Sequence, residues 1–214
     1  MKKIGILVGA APLEEEKEEL INMLSQSNAY RIAVDGGIAF FLQHGMRPDR
    51  WIGDMDSAKE KNLDAPISDC RTSQVSAIKD ETDMVLAVED ALVNGCDEIA
   101  IFGGTGGSRI SHTFANVQML YHYAKAGKKI RMYARQGRLT VLVNGSIQFP
   151  ARDSGFISVF SLTDISENVV IQGFFYGYEG DLHNDIALGV SNEYCGKSGK
   201  ISVENGALLI IEEY

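Results

Sequence analysis

Two aspartates stand two positions apart behind a short apolar run in the stretch IGDMDS, residues 52–57. In extended backbone, residues i and i+2 point to the same side, so the carboxylates of Asp54 and Asp56 can share a face. Two such groups about 4 Å apart repel by about 1 kcal/mol in water and by more in a drier cleft. Mg²⁺ relieves this repulsion, because it binds one or two carboxylates together with substrate phosphates. The alternative is structural, since Ser57 with Glu60 fits a helix capping box.

Acidic and hydroxyl side chains occur in two further segments. Asp35 comes directly after RIAV, and Thr82 and Asp83 open a helical pattern. Because ligands of an open parallel sheet sit beyond the carboxyl ends of its strands, these side chains and the aspartate pair can meet at one edge. Each has an ordinary alternative, which is a turn at Asp35 and a helix cap at Thr82 or Asp83. Several such segments at equivalent places favour a shared metal site.

A glycine-rich loop, GGTGG at residues 103–107, follows another apolar run and precedes Arg109. Its backbone N–H groups, including those of Gly106 and Gly107, can bind phosphate oxygens beside the start of the next helix. Arg109 can bind a phosphate through two hydrogen bonds. The loop is neither a dinucleotide fingerprint nor a Walker loop. Together with the aspartates, it predicts Mg²⁺-dependent chemistry on a nucleotide phosphate.

Composition and charge limit the expected partners. Of the 214 residues 45% are hydrophobic, and 29 acidic against 20 basic residues give a formal net charge of −9. Such a surface repels nucleic acid and anionic membranes, so we expect neither as a partner. Three scattered cysteines are too few for a disulfide framework or a zinc site. No run approaches the roughly 20 apolar residues of a membrane span. The apolar start is followed directly by several glutamates, which indicates a strand and then a helix rather than a signal peptide. We therefore expect a cytoplasmic protein.

Strand and helix patterns alternate over the first part of the chain. The runs KIGILVG, RIAVD, RWIGD, EIAIFG and KIRMYAR predict buried strands, and helical patterns lie between them at residues 13–26, 36–45, 82–95 and 111–127. In the third pattern, Val85, Val88 and Leu92 fall on one face, and Gly95 predicts the end of the helix. This alternation predicts an α/β domain over residues 1–138, with a mostly parallel sheet and helices on both faces.

The pattern becomes β-rich after residue 138. Apolar runs at residues 138–150, 155–162, 168–177 and 199–214 predict strands, with no convincing helix. Two Asn-Gly pairs, at 144–145 and 205–206, predict hairpin turns. We therefore expect a second, small all-β domain over residues 139–214 with an antiparallel, sandwich-like arrangement.

The motifs of the chain, taken in order, resemble those of one family. VDGG, PDRWIGDMDS, KDETD, GGTGGSRISHTFAN, GVSNE and ISVENG occur in the order found in thiamine pyrophosphokinases, also called thiamine diphosphokinases. The resemblance implies transfer of the pyrophosphoryl group of ATP to the hydroxyethyl oxygen of thiamine, giving thiamine diphosphate and AMP. It also implies that the first domain binds ATP and Mg²⁺, that the second binds thiamine, and that the protein is a homodimer with sites at the interface.

The same resemblance assigns roles to residues of this chain. It implies that three aspartates bind Mg²⁺: Asp54, Asp56 and Asp83. It implies a catalytic set of four aspartates and one arginine: Asp35, Asp54, Asp56, Asp83 and Arg109. The implied ATP contacts are Thr82, Gly106, Gly107, Arg109 and His112, and the implied thiamine contacts are Ser191 and Asn192. No aspartate has to act as a base, because loose phosphoryl-transfer transition states need little from one.

One segment departs from the family pattern. Where the family has Gly-Gly-Arg-x-Asp-His, this chain reads GSRISH at residues 107–112, with an extra Ser108 and with Ser111 in place of the aspartate. Because that carboxylate is missing, the family pattern does not predict which nucleotide this chain prefers or how fast it reacts. Two alternatives therefore remain: a pyrophosphokinase that acts on another alcohol, such as a pterin, and a catalytically inactive sensor that binds nucleotide or thiamine.

Overall fold

The computed structural model describes residues 2–14, 16–53, 71–74, 81–135 and 137–214, with the backbone alone for 71–74. Its strands are β1 (Ile4–Val8), β2 (Ala29–Val34), β3 (Arg50–Gly53), β4 (Arg71–Gln74), β5 (Glu98–Phe102), β6 (Lys129–Ala134), β7 (Gly137–Phe149), β8 (Phe156–Ser161), β9 (Ile165–Gln172), β10 (Tyr178–His183), β11 (Asn192–Glu193) and β12 (Gly199–Glu213). Its helices are α1 (Lys17–Leu24), α2 (Ile38–Gln43), α3 (Asp83–Val93) and α4 (Ile110–Lys125), and Asp35–Gly37 form a 3₁₀ turn.

The chain divides into two compact units. The first comprises Met1–Met119 and Lys128–Arg135, and the second comprises Leu120–Gly127 and Gln136–Tyr214. The described strands of the first unit pair in parallel, and those of the second unit pair antiparallel. The protein is therefore a mixed α/β protein with many strands.

The first unit has the strand order β6-β5-β1-β2-β3-β4. Val8, at the end of β1, lies opposite Ala33 of β2 on one side and Phe102 of β5 on the other. The chain builds the sheet outward from β1 to β4 in one direction and then adds β5 and β6 on the other side. The order thus reverses between β1 and β5, which is where open α/β sheets bind their ligands.

Helix α3 packs against β1, β2 and β3 through small residues. A Cβ on Gly5 of β1 would lie 3.0 Å from Cβ of Ala91, so the missing side chain lets the helix approach closely. The buried positions of the helix are Met84, Ala87, Val88 and Ala91. Two residues of the predicted apolar face, Val85 and Leu92, are only partly buried, because the alanine face lies closer to the sheet. The predicted stop at Gly95 is confirmed by its φ of +79°.

The remaining helices of the first unit are shorter than their patterns, and the start of the chain is a strand followed by a helix, as predicted. Strand β4 is an addition that the apolar pattern did not indicate. None of the helices in the described part of the chain is long and apolar enough to cross a membrane.

Strand β12 organises the second unit. One of its edges pairs with β7 along the length of both strands, and its other edge is shared between β9, opposite residues 200–205, and β8, opposite residues 208–213. Both branches enclose one apolar core with contributions from Ile157, Val159, Val169, Ile171, Ile201 and Leu208. The sheet forks so that its two halves can cover the same core.

The prediction of two Asn-Gly hairpins is wrong. Asn144 and Gly206 lie across from each other within the paired strands β7 and β12, where the register shifts between Val203 and Ala207. Asn144 has φ of 42°, Gly206 has φ of 127°, and Gly206 N–H donates to Oδ1 of Asn144 at 2.8 Å. Residues with positive φ favour a tight turn, but here they form a β-bulge within the paired strands. The bulge lies where the partner of β12 changes from β9 to β8.

Candidate active site

The carboxyl ends of β1 and β5 meet at two glycines. Gly9 N–H donates to the carbonyl oxygen of Phe102 at 2.8 Å, and Ala11 N–H donates to that of Gly103 at 3.3 Å. A Cβ on Gly9 would lie 2.5 Å from the carbonyl oxygen of Gly103, and Gly103 has φ of +64°. A side chain at either position would collide with the other strand end. Gly9 and Gly103 therefore form a surface of bare main chain where the strand order reverses.

Asp35 lies at the ends of three neighbouring strands. It has φ of 49°, which non-glycine residues rarely adopt, and the indole N–H of Trp51 donates to its carbonyl oxygen at 3.1 Å. A Cβ on Gly53 would lie 2.6 Å from Oδ1 of Asp35, so the carboxylate lies against the last residue of β3. A Cβ on Gly37 would lie 1.8 Å from the carbonyl oxygen of Val8, so the same turn also contacts β1. The turn thus holds the Asp35 carboxylate at the carboxyl edge of the sheet.

The start of α3 reaches the same edge. Thr82 is extended, with φ of −75° and ψ of 154°, and its hydroxyl accepts a hydrogen bond from Val85 N–H at 3.3 Å. This is the helix cap that the sequence offers as the structural alternative for Thr82. Cε of Met84 lies 3.1 Å from the position of a Cβ on Gly9, so the first turn of α3, with Asp83, stands beside the bare main chain of β1.

The glycine-rich loop is held in shape by helix α4. Gly106 N–H donates to Oγ1 of Thr113 at 3.1 Å, and the buried side chain of Asn116 donates to the carbonyl oxygen of Gly104 at 2.7 Å. Gly106 and Gly107 have φ of +74° and +78°, a backbone conformation that glycine adopts without strain and other residues rarely adopt. Because Thr113 already accepts from Gly106 N–H, a phosphate that bound this group would have to replace the threonine.

The polar side chains at and just before the start of α4 are exposed to solvent. Arg109, Ser111 and His112 are all exposed, and Phe114 is 65% exposed. The exposed side chain of His112 is therefore not part of a buried core. Arg109 directly follows the loop and is available to an anion.

The GVSNE segment has a different construction in the second unit. Ser191 is exposed with φ of 56°, and its N–H donates to Oγ of Ser158 at 3.0 Å. Asn192 is 8% exposed, and its side-chain amide binds both backbone groups of Tyr176, accepting from N–H at 2.9 Å and donating to the carbonyl oxygen at 2.7 Å. The Asn192 amide therefore holds a neighbouring loop, and Ser191 presents its side chain outward.

The sequence of residues 21–133, more than half of the 214, matches the family model for the thiamin pyrophosphokinase catalytic domain. The chain belongs to the thiamin pyrophosphokinase family. It is 32% identical to the thiamine pyrophosphokinase of Bacillus subtilis (strain 168) over 187 residues, which cover 84% of this chain and 85% of that protein. The resemblance of the motifs is thereby confirmed.

Solved structures of thiamin pyrophosphokinases share the fold. The structure from Geobacillus thermodenitrificans aligns with a TM-score of 0.84 at 29% identity and covers 99% of this chain and 97% of its own. The one from Bacillus subtilis aligns with a TM-score of 0.85 at 27% identity and covers 99% of each chain. The Candida albicans enzyme, at 14% identity, covers 99% of this chain and 90% of its own with a TM-score of 0.78, and shows the likeness of fold alone.

Within this member of the thiamin pyrophosphokinase family, Asp35 and Asp83 come to the same edge of the first unit. Asp54 and Asp56 lie outside the described residues. Among the residues that are described, no group of three or more histidine, cysteine, aspartate or glutamate side chains is placed to hold a metal ion. The assignment of Asp54, Asp56 and Asp83 to Mg²⁺ therefore stays a prediction.

Sequence reasoning missed the residues that shape the two loops. Thr113 and Asn116 are three residues apart in the segment that follows the glycines, and this spacing on a helix could have indicated a shared face. Phe175 and Tyr176 are 63% and 61% exposed, with ring centroids 4.8 Å apart. Their signal was the run GFFYG at residues 173–177, in which three aromatic residues stand between two glycines.

Proposed function

We propose that this chain transfers the pyrophosphoryl group of ATP to the hydroxyethyl oxygen of thiamine and releases thiamine diphosphate and AMP. The observation that carries the proposal is the meeting of Gly9, Gly103, Asp35 and the start of α3 at the carboxyl edge of one parallel sheet. Bare main chain leaves room for a polyphosphate there, and acidic side chains stand around it. A reaction on nucleotide phosphates fits this arrangement.

Mg²⁺ is the proposed cofactor, held by Asp54, Asp56 and Asp83. The donor set fits it in kind, because carboxylate oxygens are the ligands that Mg²⁺ takes in phosphate chemistry. The carboxylate of Asp35 lies against Gly53, the residue before Asp54 in the sequence, and adds a further oxygen donor at this edge. When bound, Mg²⁺ would neutralise charge on the phosphates.

The side chains of the first unit would orient ATP for an in-line displacement. Arg109 would bind phosphate oxygens through two hydrogen bonds, and Thr82, Gly106, Gly107 and His112 are the further proposed contacts. The thiamine hydroxyl attacks the β-phosphorus, the bond between the β-phosphorus and the bridging α,β oxygen breaks, and AMP leaves. Donors that meet the charge developing on the phosphoryl oxygens lower the barrier more than a base would.

Thiamine would bind at the GVSNE segment of the second unit. Ser191 is exposed for direct contact, whereas Asn192 acts through the loop that it holds. The exposed ring of Tyr176 offers a face to the thiazolium cation, an interaction worth roughly 0.5–2 kcal/mol. A homodimer with sites at the interface and a cytoplasmic location complete the proposal.

The test is a product analysis. Purified protein incubated with ATP, Mg²⁺ and thiamine should form AMP and thiamine diphosphate in equal amounts, separated by chromatography. ADP as the nucleotide product would reject pyrophosphoryl transfer. A panel of other alcohols, pterins included, tests the acceptor, and binding without turnover over hours would favour the inactive sensor.

The metal assignment has its own variant. Asp83→Asn removes one proposed ligand charge while keeping the side chain's shape, and should lower turnover by about a hundredfold or more, as losses of catalytic charge do. Glu81→Gln removes an exposed charge just before the same helix and is the matched control. Equal activity in the two variants would contradict the role of Asp83.

A further inference from the structure

Asp90 lies on helix α3, as Asp83 does. Asp83 is at the start of the helix, beside the candidate site, and Asp90 is near its end, away from the site. It follows Asp83 by seven residues, about two turns and about 10 Å along the helix axis. Residues at this spacing lie on the same side of a helix. The two carboxylates therefore mark the two ends of one helix face.

The carboxylate of Asp90 contacts both strands that lead to the acidic edge. Its Oδ2 accepts from the hydroxyl of Tyr30, the second residue of β2, at 2.8 Å. Its Oδ1 lies 3.2 Å from Nε of Arg50, the first residue of β3. One side chain thus connects α3 to β2 and β3 at their amino ends, and Asp35 and Gly53 stand at the other ends of the same strands.

The contact with Arg50 is an ion pair rather than a well-directed hydrogen bond. Nε of Arg50 is buried and has no hydrogen-bond partner of good geometry among the described residues. The side chains of Arg50 and Asp90 are 24% and 16% exposed, so water screens the pair only in part. A partly buried charge of this kind adds little net stability compared with an apolar contact. Together with the hydrogen bond from Tyr30, this ion pair joins α3 to β2 and β3.

We propose that Asp90 is a positioning residue, which ties α3 to β2 and β3 and so sets the distance between the acidic groups that bind Mg²⁺. The inference rests on the proposed function only for the identity of the ion. Carboxylates on separate elements bind one ion well only when those elements are held in a single arrangement. Loosening the tie at one end of the strands and the helix lets their other ends separate.

The test compares Asp90→Asn with Glu89→Gln, which removes a neighbouring charge from an exposed position of the same helix. Asparagine can still accept from Tyr30 but no longer carries the charge that faces Arg50. Mg²⁺ binding is measured by calorimetry in the presence of α,β-methylene-ATP, which cannot be turned over. We expect Asp90→Asn to weaken Mg²⁺ binding by about three- to tenfold and Glu89→Gln to leave it unchanged.

A second variant separates positioning from folding. Tyr30→Phe removes one hydroxyl and should weaken Mg²⁺ binding by a smaller factor, and combined with Asp90→Asn it should add less than its own factor, because both act on one tie. Circular dichroism gives the temperature at which each variant unfolds, and Mg²⁺ binding is measured well below that temperature. The KM for thiamine should stay within about twofold of the wild-type value, since the tie belongs to the first unit and the GVSNE segment to the second.

The possible outcomes distinguish this inference from the proposed function. Wild-type affinity for Mg²⁺ in both folded variants would overturn the positioning role, even if the wild-type protein makes thiamine diphosphate. A graded loss of Mg²⁺ binding together with no AMP from the wild type would support the positioning role and reject the proposed function. Absence of Mg²⁺ binding by the wild type would overturn both.

Discussion

The two units present their candidate binding residues by opposite means. In the first unit, the strand ends and the turn after β2 approach each other so closely that glycine is required, as at Gly37 of that turn, where a Cβ would lie 1.8 Å from the carbonyl oxygen of Val8. In the second unit, buried polar side chains hold the loops, as Asn192 holds Tyr176 through two hydrogen bonds. One binding surface depends on the absence of side chains and the other on their hydrogen bonds.

The second unit continues this construction beneath the GVSNE segment. Glu212 is 2% exposed, accepts from Nε and Nη2 of Arg138 at 2.5 Å and 3.1 Å, and accepts from the hydroxyl of Tyr194 at 3.0 Å. Tyr194 follows Asn192 by two residues, so the network lies directly behind the segment proposed to bind thiamine. The first unit is therefore sensitive to added atoms, and the second is sensitive to the removal of polar groups.

The largest expected effect comes from removing Glu212. Glu212→Ala takes the buried acceptor away from the partly buried guanidinium of Arg138 and from the buried hydroxyl of Tyr194, and breaking a buried ion pair costs about 3–5 kcal/mol. Urea unfolding followed by circular dichroism measures the loss. The adjacent Glu213 is exposed, so Glu213→Gln is the control and should change the free energy of unfolding by less than about 0.5 kcal/mol. A similar loss in both variants would show that the buried network does not stabilise the second unit.

The next effect compares two glycines of the first unit that differ in what limits them. Gly37 has φ of −61°, which any residue can adopt, but an added Cβ would collide with the main chain. Gly45 has φ of +62° and no atom within 4 Å of an added Cβ. We expect Gly37→Ala to cost about 3 kcal/mol through overpacking and Gly45→Ala about 1 kcal/mol through backbone strain. Equal losses in urea unfolding, or a larger one at Gly45, would contradict the steric account of this site.

Much of the first unit could be predicted from the sequence, because every described strand of this unit except β4 is a short apolar run, and the polar residues of interest follow the ends of such runs. The observed strand RWIG ends at Gly53, next to the predicted aspartates, and the helix proposed at residues 82–95 is present at Asp83–Val93. The order of the strands could not be predicted. An apolar run shows that a strand is buried but does not name its neighbours, so the meeting of Gly9 and Gly103 appears only in three dimensions.

The second unit was harder to predict from the sequence, because the same short stretch of sequence is compatible with two different structures. An Asn-Gly pair favours positive φ whether it forms a hairpin or a bulge, and only the pairing of β7 with β12 decides between them. An asparagine in a binding motif can face a ligand or the main chain. At Asn192 the main chain of Tyr176 takes both ends of the amide, which no spacing rule would indicate.

The smallest expected effect concerns alkaline pH and is shared by the two units. Burial, followed by the neighbouring carboxylate, raises the pKa of Tyr194 beside Glu212 and the pKa of Tyr30 beside Asp90 well above the ordinary tyrosine value. Below that ordinary value, about 10, the stabilisation is fully present. As the pH rises further, the unfolded chain loses these protons while the folded chain keeps them, so the free energy of unfolding falls. Urea midpoints at about pH 8 and about pH 11 measure the fall, which Tyr194→Phe and Tyr30→Phe should each reduce. Tyr176→Phe, at an exposed position, is the control and should leave the fall unchanged. A fall that no buried-tyrosine variant alters would mean that other groups set the alkaline limit in both units.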